Sequence, residues 1–209
     1  MRHAPAVAAR AVLVLATVSL AFAACAPRVT RVAPEQAIDL SGRWNDVDSR
    51  MVAEAMIKQS FEAAGPQNWA MRYARQHAGD LPTVIIGTVR NRTMEHVPVN
   101  TFVNDLQRAY INSGLVQVVA SKGERDEVRD ERLDQQEFAS AASRAKLHDE
   151  TGANYMLQGE IQSIEDSERG KTVVYYQVDL TLTDLQTNAK VWVGQHEIKK
   201  FIDRPRFGL

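Results

Sequence analysis

Cysteine occurs once in the 209 residues, so the chain has no internal disulfide framework and no second thiolate for a metal site. Neither sign of charge is in excess. The 25 Lys and Arg stand against 26 Asp and Glu, and nothing forms the basic stripe that nucleic-acid binding requires. Glycine-rich phosphate loops are missing, since Gly87 stands alone in the first expected strand, and no G-x-S-x-G elbow marks a strained nucleophile. Apart from His3, the histidines are His77, His96, His148 and His196, and no two have the i, i+4 spacing of a helical metal pair. Carboxylates abound, but no pair shows environments that would separate two pKa values for acid and base work. These absences point away from an enzyme, a metal or a cofactor.

Long hydrophobic runs are also scarce. The one candidate, Ala11 to Phe22, is interrupted by Thr17 and Ser19 and is shorter than the ~20 residues needed to span a bilayer. Arg2 and Arg10 precede it, and small residues Ala23 and Ala24 follow, which is the layout of a secretory signal peptide over 1–24. Phe22-Ala23-Ala24-Cys25 resembles a bacterial lipobox, in which cleavage precedes the cysteine and its thiol carries diacylglycerol. An ordinary signal peptide with a spare thiol is the competing reading. Two acyl chains at ~0.8 kcal/mol per buried CH₂ would make a stable anchor. Ala26 follows the cysteine, and not the Asp that resembles an inner-membrane retention signal, which directs the expectation to the periplasmic face of the outer membrane. Removal of 1–24 would leave 23 basic and 26 acidic residues.

Residues 25–39, with Pro27, Pro34 and no sustained period, read as a lipidated tether. The folded domain is expected over 40–203 and a short tail over 204–209. A helix is predicted from Asn45 or Asp48 to Ala64 on the spacing of Val52, Met56 and Ser60, with Gly65-Pro66 as its stop. A shorter helix follows over 67–77 and a buried strand over 82–89. The next helix is predicted to be capped by Asn100 or Thr101 and ended by Gly114, before a second buried strand over 115–120. Ser121 and Glu124 have capping-box spacing and open an almost wholly charged helix to about Glu137. A further helix is predicted from Ser140 to Gly152, with His148 near its C-terminus, where an imidazolium suits the dipole. From Tyr155 the period becomes two, and three strands with turns at 168–170 and 186–188 form a meander. The fold expected is a single α/β domain: one mixed sheet of about five strands packed by helices.

Four stretches, 39–54, 84–97, 118–140 and 173–200, resemble the LpoB family of lipoproteins that activate penicillin-binding proteins. The resemblance implies a domain similar to the amino-terminal domain of TolB. It also implies a partner, a class A penicillin-binding protein, and a role in regulating peptidoglycan synthesis. One feature departs from the family: well-known members have a long proline-rich tether, and here only 14 residues separate Cys25 from Leu40. The other reading is an accessory lipoprotein of an outer-membrane, flagellar or secretion assembly.

Four residues are singled out as protein-binding. Asn91, Arg92 and Thr93 follow the first strand, at an end of the sheet where α/β domains place binding residues. Arg92 would pair with a partner carboxylate, whereas Asn91 and Thr93 equally suit a turn that satisfies its own backbone. Tyr175 and Tyr176 must point to opposite sides of one strand. Tyr175 falls on the more polar side, as a potential interface anchor.

Overall fold

The computed structural model describes residues 29–34, 36–62 and 68–204. The chain divides into two compact units, Met1–Gln36 and Ala37–Leu209, and the second contains every element described here. Cys25, the signal segment, the Gly65-Pro66 stop and the tail beyond Arg204 lie outside the described residues.

The elements run α1 (Asp46–Glu62), α2 (Trp69–Gln76), β1 (Thr83–Asn91), α3 (Val99–Ser113), β2 (Gln117–Val119), α4 (Lys122–Phe138), β3 (Tyr155–Glu168), β4 (Lys171–Asp184) and β5 (Lys190–Asp203). The strands form one sheet in the order β2-β1-β3-β4-β5. β1 is parallel to β2 and β3, while β3, β4 and β5 are an antiparallel meander. This is the expected mixed five-stranded α/β sheet.

Alternation sets the sheet's two faces. Along β4, Val174, Tyr176, Val178, Leu180 and Leu182 are buried while each intervening residue is partly exposed. On the buried side α1 contributes Val52, Ala53, Met56 and Ile57, and α3 contributes Phe102, Leu106 and Tyr110. Each large apolar side chain so buried stabilises the fold by about 1.5–3 kcal/mol. Trp69 of α2 meets Tyr155 edge-on at 5.2 Å and stacks on Phe61 at 5.6 Å. Ahead of α1, Trp44 inserts its ring edge-on to Tyr176 at 5.6 Å and Phe102 at 6.1 Å. Arg169 (φ 49°) and Gly170 (φ 86°) make the two-residue turn between β3 and β4, the left-handed pair that matches strand twist.

Several expectations are corrected. No helix forms over 140–152. Ala139 ends α4 in extended conformation, and Ser140 carries only a turn through the amides of Ser143 and Arg144. Ala141, Ala142 and Leu147 are exposed, so a helix there would bury no apolar face, and short unpacked helices are marginal in water. His148 is therefore not at a helix end but in this loop, at φ 60°. The second strand is three residues long and only partly buried, as an edge strand. α3 begins at Val99 after Pro98, so Asn100 and Thr101 lie inside its first turn instead of capping it, whereas Gly114 closes it with φ 65°. β1 extends two residues further than expected, to Asn91.

Candidate interaction surface

β1 delivers Asn91 to the end of the sheet, where it is paired with Ile161 of β3. The loop beyond it ties itself together. Asn91 Oδ1 accepts from the Thr93 amide at 2.9 Å and the Thr93 hydroxyl at 2.7 Å, while Asn91 Nδ2 donates to the Glu95 carbonyl at 2.7 Å. The Glu95 amide in turn donates to Thr93 Oγ1 at 3.1 Å. Asn91 and Thr93 thus have their polar atoms occupied within the loop. Arg92 does not: its amide donates to the Ile161 carbonyl, but its side chain is 60 % exposed, with Nε 3.7 Å from a Glu160 carboxylate oxygen.

Glu160 belongs to the face of the sheet opposite α1 and α3. That face carries Gln162 and Ile164 of β3, Val173, Tyr175, Gln177 and Asp179 of β4, and Gln195, Glu197, Lys199 and Phe201 of β5, in directly paired rows. Tyr175 lies between Ile164 and Lys199 in one such row. Ile164 is 68 % exposed and Phe201 63 %, so apolar surface is left uncovered around the tyrosine. The rest of the face is polar and internally bonded: Gln177 Nε2 donates to Asp179 Oδ2 at 2.8 Å and Gln162 Nε2 to Glu160 Oε1 at 2.9 Å. An aromatic within a small apolar patch, bordered by polar groups, has the anatomy of a protein interface. The Tyr175 hydroxyl donates to Gln177 Oε1 at 3.3 Å, and desolvation together with the Glu197 carboxylate raises its pKa, keeping it a neutral donor. Strand spacing and register put Arg92 and Tyr175 on this face roughly 12 Å apart.

Two partly buried charges behind this face were not legible in the sequence. Glu95 Oε1 accepts from the Tyr176 hydroxyl at 2.7 Å and its Oε2 from the Trp44 amide at 3.3 Å. Burial, then the neighbouring Glu95, drives the Tyr176 phenol pKa far upward. Lys200 Nζ donates to Asp48 Oδ2 at 2.6 Å, Asp39 Oδ1 at 2.9 Å and the Arg43 carbonyl at 3.2 Å. Burial alone would pull that ammonium's pKa down, but the two carboxylates outweigh it and the net shift is upward. Gly42, at φ 72°, crosses so close to Ile202 that a Cβ would collide with it. Residues 39–45 are in this way strapped across β5 to the start of α1. The partners lie 81 and 152 residues apart in sequence, and no local pattern announces them.

Among the described residues, no group of three or more His, Cys, Asp or Glu is arranged to hold a metal ion. A cavity of about 450 Å³ between α1 and α3 has an apolar floor of Ile57, Phe61 and Ala109 under charges of both signs. Its buried Asp105 is engaged by Arg108 at 2.8 Å.

No curated protein sequence is significantly similar to this chain. The carboxy-terminal domain of LpoB from Salmonella enterica is similar at 16 % identity, covering 73 % of this chain and 99 % of that one with a TM-score of 0.39. Escherichia coli LpoB, solved by NMR, is 14 % identical over 84 % of this chain and 85 % of its own, at a TM-score of 0.40. A subunit of the PelC dodecamer from Paraburkholderia phytofirmans is 15 % identical over 57 % of this chain and 73 % of its own, at 0.35. Superpositions this loose do not decide a family. The sequence does: residues 48–198, from the first turn of α1 to β5, match the family model described as peptidoglycan-synthase activator LpoB, and the chain belongs to that family.

Proposed function

We propose that the protein is an outer-membrane lipoprotein, acylated at Cys25, whose domain docks on a class A penicillin-binding protein and favours its active state. Family membership supports the activating role, which is regulatory and not catalytic. The observation that carries the docking proposal is the uncovered sheet face, with Tyr175 in an apolar patch and Arg92 at its margin. Activation requires tighter binding to the active form of the synthase than to the inactive one. The Phe22-Ala23-Ala24-Cys25 motif supports the anchor. Residues 26–39 extend at most ~50 Å, so the synthase must reach outward to meet the domain, because effective concentration collapses below the required span.

The test is glycan polymerisation by a purified class A synthase with and without the chain from residue 25 onward, carrying Cys25→Ser. Stimulation is expected, and it should fall at least tenfold in affinity with Tyr175→Ala and two- to fivefold with Arg92→Ala. Neither binding nor stimulation by the parent would remove this reading. The short tether specifically favours the accessory-lipoprotein reading instead. Crosslinking in intact cells separates the two, since an accessory protein would be recovered with outer-membrane machinery and not with a synthase. The anchor has its own check: Cys25→Ala should leave the outer-membrane fraction.

A further inference from the structure

The two halves of the docking face come from distant parts of the chain: Arg92 from the loop after β1, Tyr175 from the middle of β4. A flat surface binds well only if its anchors are held at a set separation, because ordering a loose side chain or loop opposes association. Backbone pairing through β3 spaces the two halves, and one carboxylate adds side-chain ties that link the Arg92 loop, β4 and the strap ahead of α1. Glu95 sits in the Arg92 loop and is bound to it by main-chain atoms, through Asn91 Nδ2 and the Thr93 hydroxyl. Its side chain reaches away from the loop. One oxygen takes the hydroxyl of Tyr176, the residue next to Tyr175 and on the core side of the same strand. The other takes the amide of Trp44, whose ring packs against Tyr176 and Phe102. Trp44 belongs to the strap that Lys200 holds through Asp39 and the Arg43 carbonyl.

We propose that Glu95 is a positioning residue, which joins the strap, the Arg92 loop and the Tyr175 strand into one rigid body. This rests on the docking face proposed above. It adds a specific consequence: the loop's own bonds use Glu95 main-chain atoms, so removing the carboxylate leaves the loop folded and still hydrogen-bonded to β3 through the Arg92 amide, but without its side-chain ties to β4 and the strap. A residue needed only for stability would lower the unfolding temperature without changing the Arg92–Tyr175 separation in the folded molecules.

Spin-label spectroscopy reads that separation directly. Because Cys25 is the sole cysteine, a full chain with Cys25→Ser, Arg92→Cys and Tyr175→Cys carries two labels and no others. Dipolar broadening in this protein should report a single narrow distance. Adding Glu95→Ala should widen the distribution at least twofold at temperatures where the chain is fully folded, and Tyr176→Phe, which deletes one tie and keeps the ring, should widen it by less. Exchange of the Trp44 amide, followed by hydrogen–deuterium exchange in the unlabelled chain, should accelerate at least tenfold in Glu95→Ala. An unchanged distribution, or unchanged exchange at Trp44, would overturn the proposal even if the variant melts earlier. Neither measurement needs a synthase. A parent that binds no synthase yet shows both effects would end the docking reading and leave the joint standing.

Discussion

α1 and α4 are both 17 residues long, yet they are held by opposite means. α1 buries seven side chains, among them Val52, Met56 and Ile57. α4 buries none. Its stability comes from its ends and its charges: the Ser121 amide donates to Glu124 at 2.6 Å, and Arg129 grips Glu150 with two bonds of 2.9 Å while Arg132 adds a third at 3.1 Å. Gln136 and Gln135 then pin the returning loop at Ala145. Burial is nonspecific and strong, whereas exposed ion pairs are directional, weak and sensitive to salt and pH. One chain is therefore expected to contain a helix that melts only with the whole domain and another that opens alone.

The largest expected break in the comparison is on the α1 side. Phe102→Ala empties a fully buried site beneath Trp44 and α1, and should cost about 4 kcal/mol in global unfolding, measured by denaturant titration. Asp48→Ala comes next. Asp48 is 4 % exposed and its loss leaves the Lys200 ammonium with a poorer set of acceptors, so about 3 kcal/mol should be lost, again globally. On the α4 side, Glu150→Gln should accelerate amide exchange throughout 122–150 while hardly moving the global transition. Acidification should do the same. The Arg129 hydrogen bonds lower the Glu150 pKa below its ordinary value near 4.5. A lowered folded-state pKa means the clip contributes fully above about pH 4.5 and is lost as pH falls through the lower, folded value. Exchange in 122–150 that shows no acceleration, after correction for intrinsic rates, as pH is lowered from neutral to the most acid pH at which the domain stays folded would contradict the assignment of α4 to charge. The smallest effect is Tyr110→Phe. The Tyr110 hydroxyl is buried beside Ser60 but makes no hydrogen bond of ordinary geometry among the described residues, and burial, offset only in part by Ser60, drives its pKa strongly upward. Removing an unpaired buried hydroxyl should raise stability by up to about 1 kcal/mol, and a large loss would show that it is bonded after all.

The same division explains what could be read in advance. Periodicity exposed α1, α3 and the meander because their buried residues recur at 3.6 or 2, and the β3–β4 turn was legible from Arg169-Gly170. The capping box located the start of α4. What failed were segments where local preference had no tertiary support: the helix expected over 140–152 had alanines to favour it, but nothing for them to pack against. Of the residues proposed for docking, Tyr175 was assigned its side of β4 by alternation alone. The loop chemistry of Asn91 and Thr93 was foreseen as one of two readings, whereas Arg92 needed the fold to put it on the same face as Tyr175. Glu95, Trp44 and Lys200 gave no warning, since each gains its meaning from a partner far along the chain.

By itself the amino-acid order determined the strand faces, the amphipathic helices and the mixed α/β class, because side-chain direction along a strand or helix is set by backbone geometry within a few residues. It also carried the family likeness. Only tertiary structure decided which helix rests on the core and which on ion pairs, which sheet face stays uncovered, and that one carboxylate meets both Tyr176 and the Trp44 amide. Those outcomes depend on contacts closed across many tens of residues, and the energy of such a contact exists only once the chain has brought its two ends together.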